Sequence, residues 1–236
     1  MRLLVSVRNA TEAEAAVEGG ADIVDAKEPA HGALGRVTDD VLKSIRAQVN
    51  GQAPVSVALG DVGSDNIADA AAAAARADAA FVKIGFAGCR RGLGVDDLRT
   101  AVGAIGSAPL VLVVYADYDR AHAPLPEDVV SLAHETNAAG ILLDTFDKHG
   151  PGLTTLMTLR ALVSFVSTAK RAGQFVAVAG RLTIQDIEQV WDTGADIVGI
   201  RGAACEGGRN GIVVVDRIRM IRRYLDSKAE LAFPTI

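Results

Sequence analysis

The sequence has few aromatic residues, few cysteines and no cluster of basic residues, and each absence excludes a class of protein. Aromatic residues make up 4% of the 236 residues, and the two cysteines, Cys89 and Cys205, lie far apart without metal-ligand spacing. A disulfide framework is therefore excluded, which fits a reducing compartment. The net charge is −5 and no block of lysine or arginine occurs, so the chain lacks the basic surface expected of a nucleic-acid-binding protein. The four histidines show no metal-binding spacing, and we expect no metal ion.

Long apolar runs are also absent. No stretch approaches the roughly 18 residues that a membrane span requires. The alanine run 70–75 lies between Asp69 and Arg76 and is typical of a helix. The N-terminal run 1–7 is too short for a signal sequence. We therefore expect a soluble cytoplasmic protein without a membrane partner, while an apolar stretch at 159–166 leaves a homo-oligomer open.

Short β-branched runs alternate regularly with amphipathic stretches along the whole chain. The first predicted helix opens at Thr11, which forms a capping-box pattern with Glu14. The predicted strands are 3–7, 23–26, 55–59, 80–84, 110–115, 140–144, 175–179 and 196–200. The predicted helices begin near 11, 38, 64, 95, 126, 154, 183 and 211, of which the sixth runs to 172 and the last to 225. Such apolar strands are typical of a parallel sheet that is covered on both faces.

Eight βα units in about 230 residues match a closed (β/α)8 TIM barrel, whose length is typically about 250 residues. No linker interrupts residues 1–236, so we predict a single domain. The segments 20–24 and 194–198 both read Gly-Ala-Asp-Ile-Val, which marks the entry to strands two and eight. The alternative is a doubly wound open sheet, but that fold usually has a glycine-rich first turn, and the turn 6–10 contains no glycine.

The active site of a barrel lies at the carboxyl ends of its strands. Asp25 and Lys27 have the same parity along strand two, so both can face the barrel interior. Lys83 lies within an apolar strand, where a charge is costly unless it is paired or functional. Asp25 and Asp144 are its expected partners, and Lys148 follows in the loop after strand six. A lysine that is desolvated or beside another cation becomes an amine nucleophile that can form a Schiff base, and Lys27 is the best candidate.

Each of these residues also has a simpler interpretation. Lys27 could be a surface lysine of the loop, and Lys148 could be solvated. Lys83 could belong to a structural ion pair, and Asp144 could cap the following loop.

The loops after strands seven and eight are candidate phosphate-binding loops. They contain Gly180 with Arg181, and Arg201 with Gly202 and Ala203. Barrels often bind phosphate there through backbone N–H groups, although a glycine in such a turn can also be purely steric. The long glycine-rich loop 31–36 is a candidate lid.

Several of these segments together resemble a known family. They are 1–6, 19–29 with 32–35, 82–85 and 143–148, of which Asp25-Ala26-Lys27-Glu28-Pro29 followed by Gly32-Ala33-Leu34-Gly35 is the most specific. The chain resembles the (5-formylfuran-3-yl)methyl phosphate synthase family over nearly its whole length.

The resemblance implies condensation of two glyceraldehyde 3-phosphate molecules into a phosphorylated furan aldehyde, with loss of phosphate and water, on the route to methanofuran. It further implies that the essential residues are Lys27, Lys83, Asp144 and Lys148 and that no cofactor is required. From its place at the end of strand two, we also expect Asp25 to help bind substrate. Two alternatives stay open: another sugar-phosphate barrel enzyme, such as a class I aldolase or an isomerase, and a non-catalytic regulator that binds a sugar phosphate. The clustered lysines favour an enzyme, because a sensor needs charge but no reactive amine.

Overall fold

The computed structural model describes residues 1–64, 67–89 and 95–232. Eight parallel strands pair in sequence order and close into a barrel, with β1 pairing both β2 and β8. The strands are β1 Arg2–Val7, β2 Ile23–Ala26, β3 Val55–Asp61, β4 Phe81–Gly85, β5 Leu110–Tyr115, β6 Gly140–Asp144, β7 Phe175–Val178 and β8 Ile197–Ile200. This arrangement confirms the predicted (β/α)8 fold.

The helices lie on the outside of the barrel, and a short hairpin follows β8. The helices are α1 Ala10–Glu18, α2 Asp39–Val49, α3 Ile67–Arg76, α4 Val95–Ala104, α5 Tyr118–Ala121, α6 Pro126–Glu135, α7 Leu153–Leu156, α8 Leu159–Arg171, α9 Asp186–Asp192 and α10 Val215–Ala232. The hairpin pairs β9 Cys205–Glu206 with β10 Ile212–Val213. Across the described ranges, no helix combines the length and the apolar character needed to cross a membrane.

Two layers of apolar side chains hold the barrel together. The larger layer packs the outward faces of the strands against the helices, and includes Leu3, Val24 and Leu162. The smaller layer fills part of the barrel interior, and includes Ile23 and Leu142. Because side chains alternate along a strand, the polar residues at the strand ends fall on the inward face above this second layer.

The structure differs from the predicted elements at several ends. The N-cap of α1 is Asn9, whose side chain accepts the N–H of Glu12, so the predicted capping box at Thr11 is wrong. The single helix predicted for 154–172 is two helices, because the backbone is extended at Met157. The last helix begins at Val215, since the residues before it form the hairpin.

Candidate active site

A cavity of about 420 Å³ opens at the carboxyl ends of the strands. Its lining includes seven basic side chains and two acidic ones, although the whole chain has a net charge of −5. The charged lining residues are Lys27, Lys83, Lys148, Arg181, Arg201, Arg209, Arg217, Asp25 and Asp144. Such a concentration of one sign in a concave site attracts anionic ligands.

Asp25 and Lys83 form a buried ion pair at the base of the cavity. The strand register places Ser6 and Ser56 on either side of Asp25, and their hydroxyls donate to its carboxylate at 2.9 and 2.7 Å. Burial would by itself raise the pKa of Asp25, but Lys83 and Lys27 outweigh it, so its pKa lies below the usual value. Asp25 therefore stays ionised and fixes the position of the Lys83 ammonium.

Asp144 lies between the other two lysines. Its carboxylate accepts a hydrogen bond from Lys148 Nζ at 2.6 Å and lies 3.7 Å from Lys27 Nζ. The backbone N–H of Thr145 donates to it as well, at 2.7 Å. Burial opposes ionisation, but Lys148 and then Lys27 lower the pKa of Asp144 to about 2. Lys27, Asp144 and Lys148 therefore form a line of amine, carboxylate and amine, in which the two amines can exchange protons through Asp144.

The amine of Lys27 is strongly perturbed. Burial lowers its pKa from 10.5 to about 7, Asp144 opposes the change, and Lys148 and Lys83 add to it. Among the described residues, Lys27 Nζ has no hydrogen-bond acceptor, and its one ion pair is the long 3.7 Å contact with Asp144. Lys83 is instead held directly by Asp25. An amine that is half neutral at pH 7 and weakly held has the properties of a nucleophile.

The burial of these side chains bears on their simpler interpretations. The side chains of Lys27 and Lys148 are each 8% exposed, so neither is a solvated surface lysine. Lys83 does form the ion pair that its structural interpretation requires. Asp144 does accept the N–H of the residue that follows it. For the last two residues the structural and the functional interpretation are compatible.

The loop that carries Lys148 is held by a residue of the preceding unit. Asp117 lies after β5 and accepts the backbone N–H groups of Phe146 and Asp147, at 2.6 and 2.8 Å. These bonds fix the backbone just before Lys148. Asp117 therefore positions Lys148 against Asp144 without itself lining the cavity.

The predicted phosphate-binding loops also line the cavity, through Gly180, Arg181, Gly202 and Ala203. Gly180 has φ +113°, and a Cβ there would lie 3.0 Å from Thr145 Cγ2, so the steric interpretation of this glycine holds as well. Arg181 is exposed and also has a positive φ of 54°. The loop thus places the Arg181 side chain next to Gly180, whose backbone conformation requires glycine.

Arg201 is buried and its guanidinium is saturated by the protein. Nη1 bonds Glu12 and the carbonyl of Ser6, and Nη2 bonds Glu12 and the carbonyl of Gly211. Nε donates to the carbonyl of Arg209 at 2.9 Å. A guanidinium has five N–H donors, and all five are used here. The predicted phosphate contact of Arg201 stays a prediction that requires one of these bonds to break.

Sequence reasoning missed Arg209, which lies in the turn of the β9–β10 hairpin and lines the cavity. The signal was the run Gly207-Gly208-Arg209-Asn210-Gly211, which places an arginine in a glycine-rich turn.

Among the described residues, no group of three or more histidine, cysteine, aspartate or glutamate side chains could hold a metal ion.

Solved structures of other barrels share this fold at low sequence identity. Thiamine phosphate pyrophosphorylase from Pyrococcus furiosus superposes with a TM-score of 0.65 at 16% identity, covering 96% of both chains. Phosphoribosyl anthranilate isomerase from Thermus thermophilus superposes with a TM-score of 0.64 at 13% identity, covering 97% of this chain and 100% of the isomerase. At this identity the likeness concerns the fold alone.

Sequence comparison is more specific. The (5-formylfuran-3-yl)methyl phosphate synthase of Methanothermobacter thermautotrophicus is 38% identical over 237 residues, covering 96% of this chain and all of the relative. The synthase of the same name from Archaeoglobus fulgidus is 33% identical over 224 residues, covering 90% and 94%. The profile of the 4-HFC-P synthase family matches residues 3–222. The chain, with its cationic cavity and its three buried lysines, therefore belongs to the 4-HFC-P synthase family.

Proposed function

We propose that this protein joins two molecules of glyceraldehyde 3-phosphate into (5-formylfuran-3-yl)methyl phosphate for methanofuran biosynthesis. The names of the relatives supply the product, and the group Lys27–Asp144–Lys148 in a cationic cavity is the observation that carries the proposal. The atoms balance when one phosphate and two waters leave, so the reaction consumes no oxidant or reductant. The proposal accordingly includes no cofactor.

In the first step, one triose phosphate isomerises to its ketone form and Lys27 Nζ attacks the carbonyl carbon. Loss of water from the adduct gives an imine. The pKa of about 7 supports this role, because about half of the amine is then neutral at pH 7. Lys83 is the weaker candidate for the imine, since its ammonium is held by a carboxylate that two serines also fix.

In the second step, a proton leaves the carbon next to the aldehyde of the second triose phosphate, and phosphate leaves from the carbon beyond it. The terminal carbon of the resulting enol attacks the imine carbon, which makes the new C–C bond at the branch point of the product. Lys148 and Asp144 move these protons, because both lie beside Lys27 and bond one another at 2.6 Å. Ring closure by the free hydroxyl of the first triose, loss of water and elimination of the Lys27 amine complete the turnover.

The remaining polar groups bind and hold charge in this scheme. Lys83 is paired with Asp25 and disfavours protonation of Lys27 by repulsion. The loops at Gly180–Arg181 and Gly202–Ala203 bind a substrate phosphate. The cytoplasm is the compartment we propose, because triose phosphates occur there.

The test is to incubate the purified protein with glyceraldehyde 3-phosphate alone and to follow near-ultraviolet absorbance and released phosphate together. Both signals should rise in step, and Lys27→Ala should abolish both. Lys43→Ala removes a lysine of α2 whose side chain is 74% exposed, and it should leave both rates unchanged.

A borohydride trap with substrate, mapped by mass spectrometry, should place the adduct on Lys27. A trapped imine without furan absorbance would indicate a class I aldolase instead. Full activity of Lys27→Ala would refute the assignment of the nucleophile.

A further inference from the structure

The proposed reaction takes two phosphorylated substrates, and besides the Gly180–Arg181 loop the cavity offers a second cationic position, in the hairpin that follows β8. All five N–H donors of Arg201 are hydrogen-bonded within the protein. Arg209 uses only part of its donors in this way. Its Nη2 donates to the carbonyls of Pro29 and Gly32, at 3.1 and 2.7 Å. Within the described residues, Nε and Nη1, which carry three N–H groups, have no acceptor.

The local sequence explains how Arg209 reaches the cavity. Gly207 and Gly208 have φ of +80° and +73°, which allows the hairpin to turn sharply. A Cβ on Gly211 would lie 1.7 Å from the carbonyl oxygen of Glu206, so only glycine closes the turn. The carbonyl of Arg209 is in turn fixed by Arg201. The backbone at this position is therefore held before any ligand binds.

The two carbonyls that Arg209 binds belong to the loop that follows Lys27. That loop closes on itself through the N–H of Glu28 and the carbonyl of Gly35, at 2.8 Å, and it buries Leu34. Arg209 thus joins this loop, the predicted lid, to the hairpin that follows β8.

The charges around Arg209 favour an anion beside it. Burial lowers its pKa below the usual value, Asp144 opposes this, and Arg201 and Arg181 add to the lowering. The guanidinium stays charged at neutral pH, because an arginine side chain does not lose its proton in proteins. A bound phosphate would neutralise this repulsion between cations.

We propose that Arg209 binds the phosphate of one of the two substrates through Nε and Nη1, at a site separate from the Gly180–Arg181 loop, while its Nη2 holds the loop after β2 closed. The inference rests on the proposed function for the identity of the ligand. The phosphate site itself can be tested without furan formation, so the two can fail separately.

The experiment is a calorimetric titration of the full-length protein with inorganic phosphate. The wild type should bind two phosphates, and Arg209→Gln should bind one. Arg209→Lys, which keeps the charge, should retain the second phosphate at reduced affinity. The matched control is Arg160→Gln, which removes an exposed arginine of α8 and should bind two. Two equivalent phosphates on Arg209→Gln would overturn the inference.

Kinetics and hydrogen exchange separate binding from a purely structural role. The KM for glyceraldehyde 3-phosphate should rise at least tenfold in Arg209→Gln, with recovery in Arg209→Lys. Phosphate should slow amide exchange in segment 29–35 of the wild type and of Arg160→Gln, but not of Arg209→Gln. A fall in kcat alone, with phosphate protection of 29–35 unchanged, would show that Arg209 only fastens the loop and would refute phosphate binding. If no furan forms in the wild type but the phosphate titration depends on Arg209, the proposed function fails and the phosphate site stands.

Discussion

The pKa of Lys27 can be moved in either direction by changing its two charged neighbours. Its fall from 10.5 to about 7 corresponds to about 5 kcal/mol against the ammonium. At pH 7 about half of such an amine is neutral, against about one in three thousand for an ordinary lysine. Asp144 is the largest group that opposes the fall, and Lys148 is the largest charge that assists it.

Asp144→Asn should therefore lower the pKa of Lys27 further, and Lys148→Met should raise it. A charge about 4 Å away contributes up to about 4 kcal/mol at an effective dielectric constant of 20, so we expect the pKa of Lys27 to change by one unit or more. The Asp144 carboxylate lies 3.7 Å from Lys27 Nζ, which is close to this distance.

The assay is the rate of acetylation of Lys27 by acetic anhydride between pH 5 and pH 10, read by mass spectrometry. Lys43 in the same sample serves as the exposed reference. The wild-type rate should reach half of its maximum near pH 7. A half-point near pH 10, or a shift of the same sign in both variants, would refute the electrostatic account of Lys27.

The same pKa has a consequence for stability. The folded protein has a lower pKa at Lys27 than the unfolded chain, so the cost of burying the ammonium is fully present below about pH 7 and disappears as the pH rises toward 10.5. At pH 6, Lys27→Met should therefore unfold at a higher denaturant concentration than the wild type, and its free energy of unfolding should be larger by at most about 5 kcal/mol. This difference should shrink by pH 10. A difference that does not change with pH would show that the effect comes from packing.

Three further changes test the surroundings of the site. Asp25→Asn leaves the Lys83 ammonium buried without its carboxylate, and urea unfolding should show a loss of about 3–5 kcal/mol; a loss below about 1 kcal/mol would contradict the pairing. Gly35→Ala places a Cβ 2.1 Å from a backbone oxygen of the loop after β2, so furan formation should fall strongly, whereas Gly103→Ala, with no atom within 4 Å, should not reduce it. Arg201→Met removes the buried partner of Glu12 on α1 and leaves it only the more exposed Arg8, so the melting temperature should fall along with activity; lost activity at unchanged stability would instead favour the predicted phosphate contact.

The sequence by itself determined the architecture and the lysines. Eight alternating units follow from hydrophobic periodicity, which is a local property of the chain. The parity of Asp25 and Lys27, and the cost of Lys83 in an apolar strand, place charged groups inside the barrel without any coordinates. Ends of elements were less accurate, as at Met157, because a competing backbone conformation there depends on packing against the barrel.

Only the tertiary structure decided which charges meet. Position in the sequence alone did not separate Lys148 from a solvated lysine. In the fold its side chain is 8% exposed and pairs with Asp144, and Asp117 accepts the backbone N–H groups just before it. Arg201 had the sequence context of a phosphate ligand, yet its carboxylate partner lies 189 residues away. Arg209 joins the loop after β2 across separations of 180 and 177 residues. Contacts at such separations leave no local pattern, because closure of the barrel, and not the neighbouring sequence, brings the two ends of the chain together.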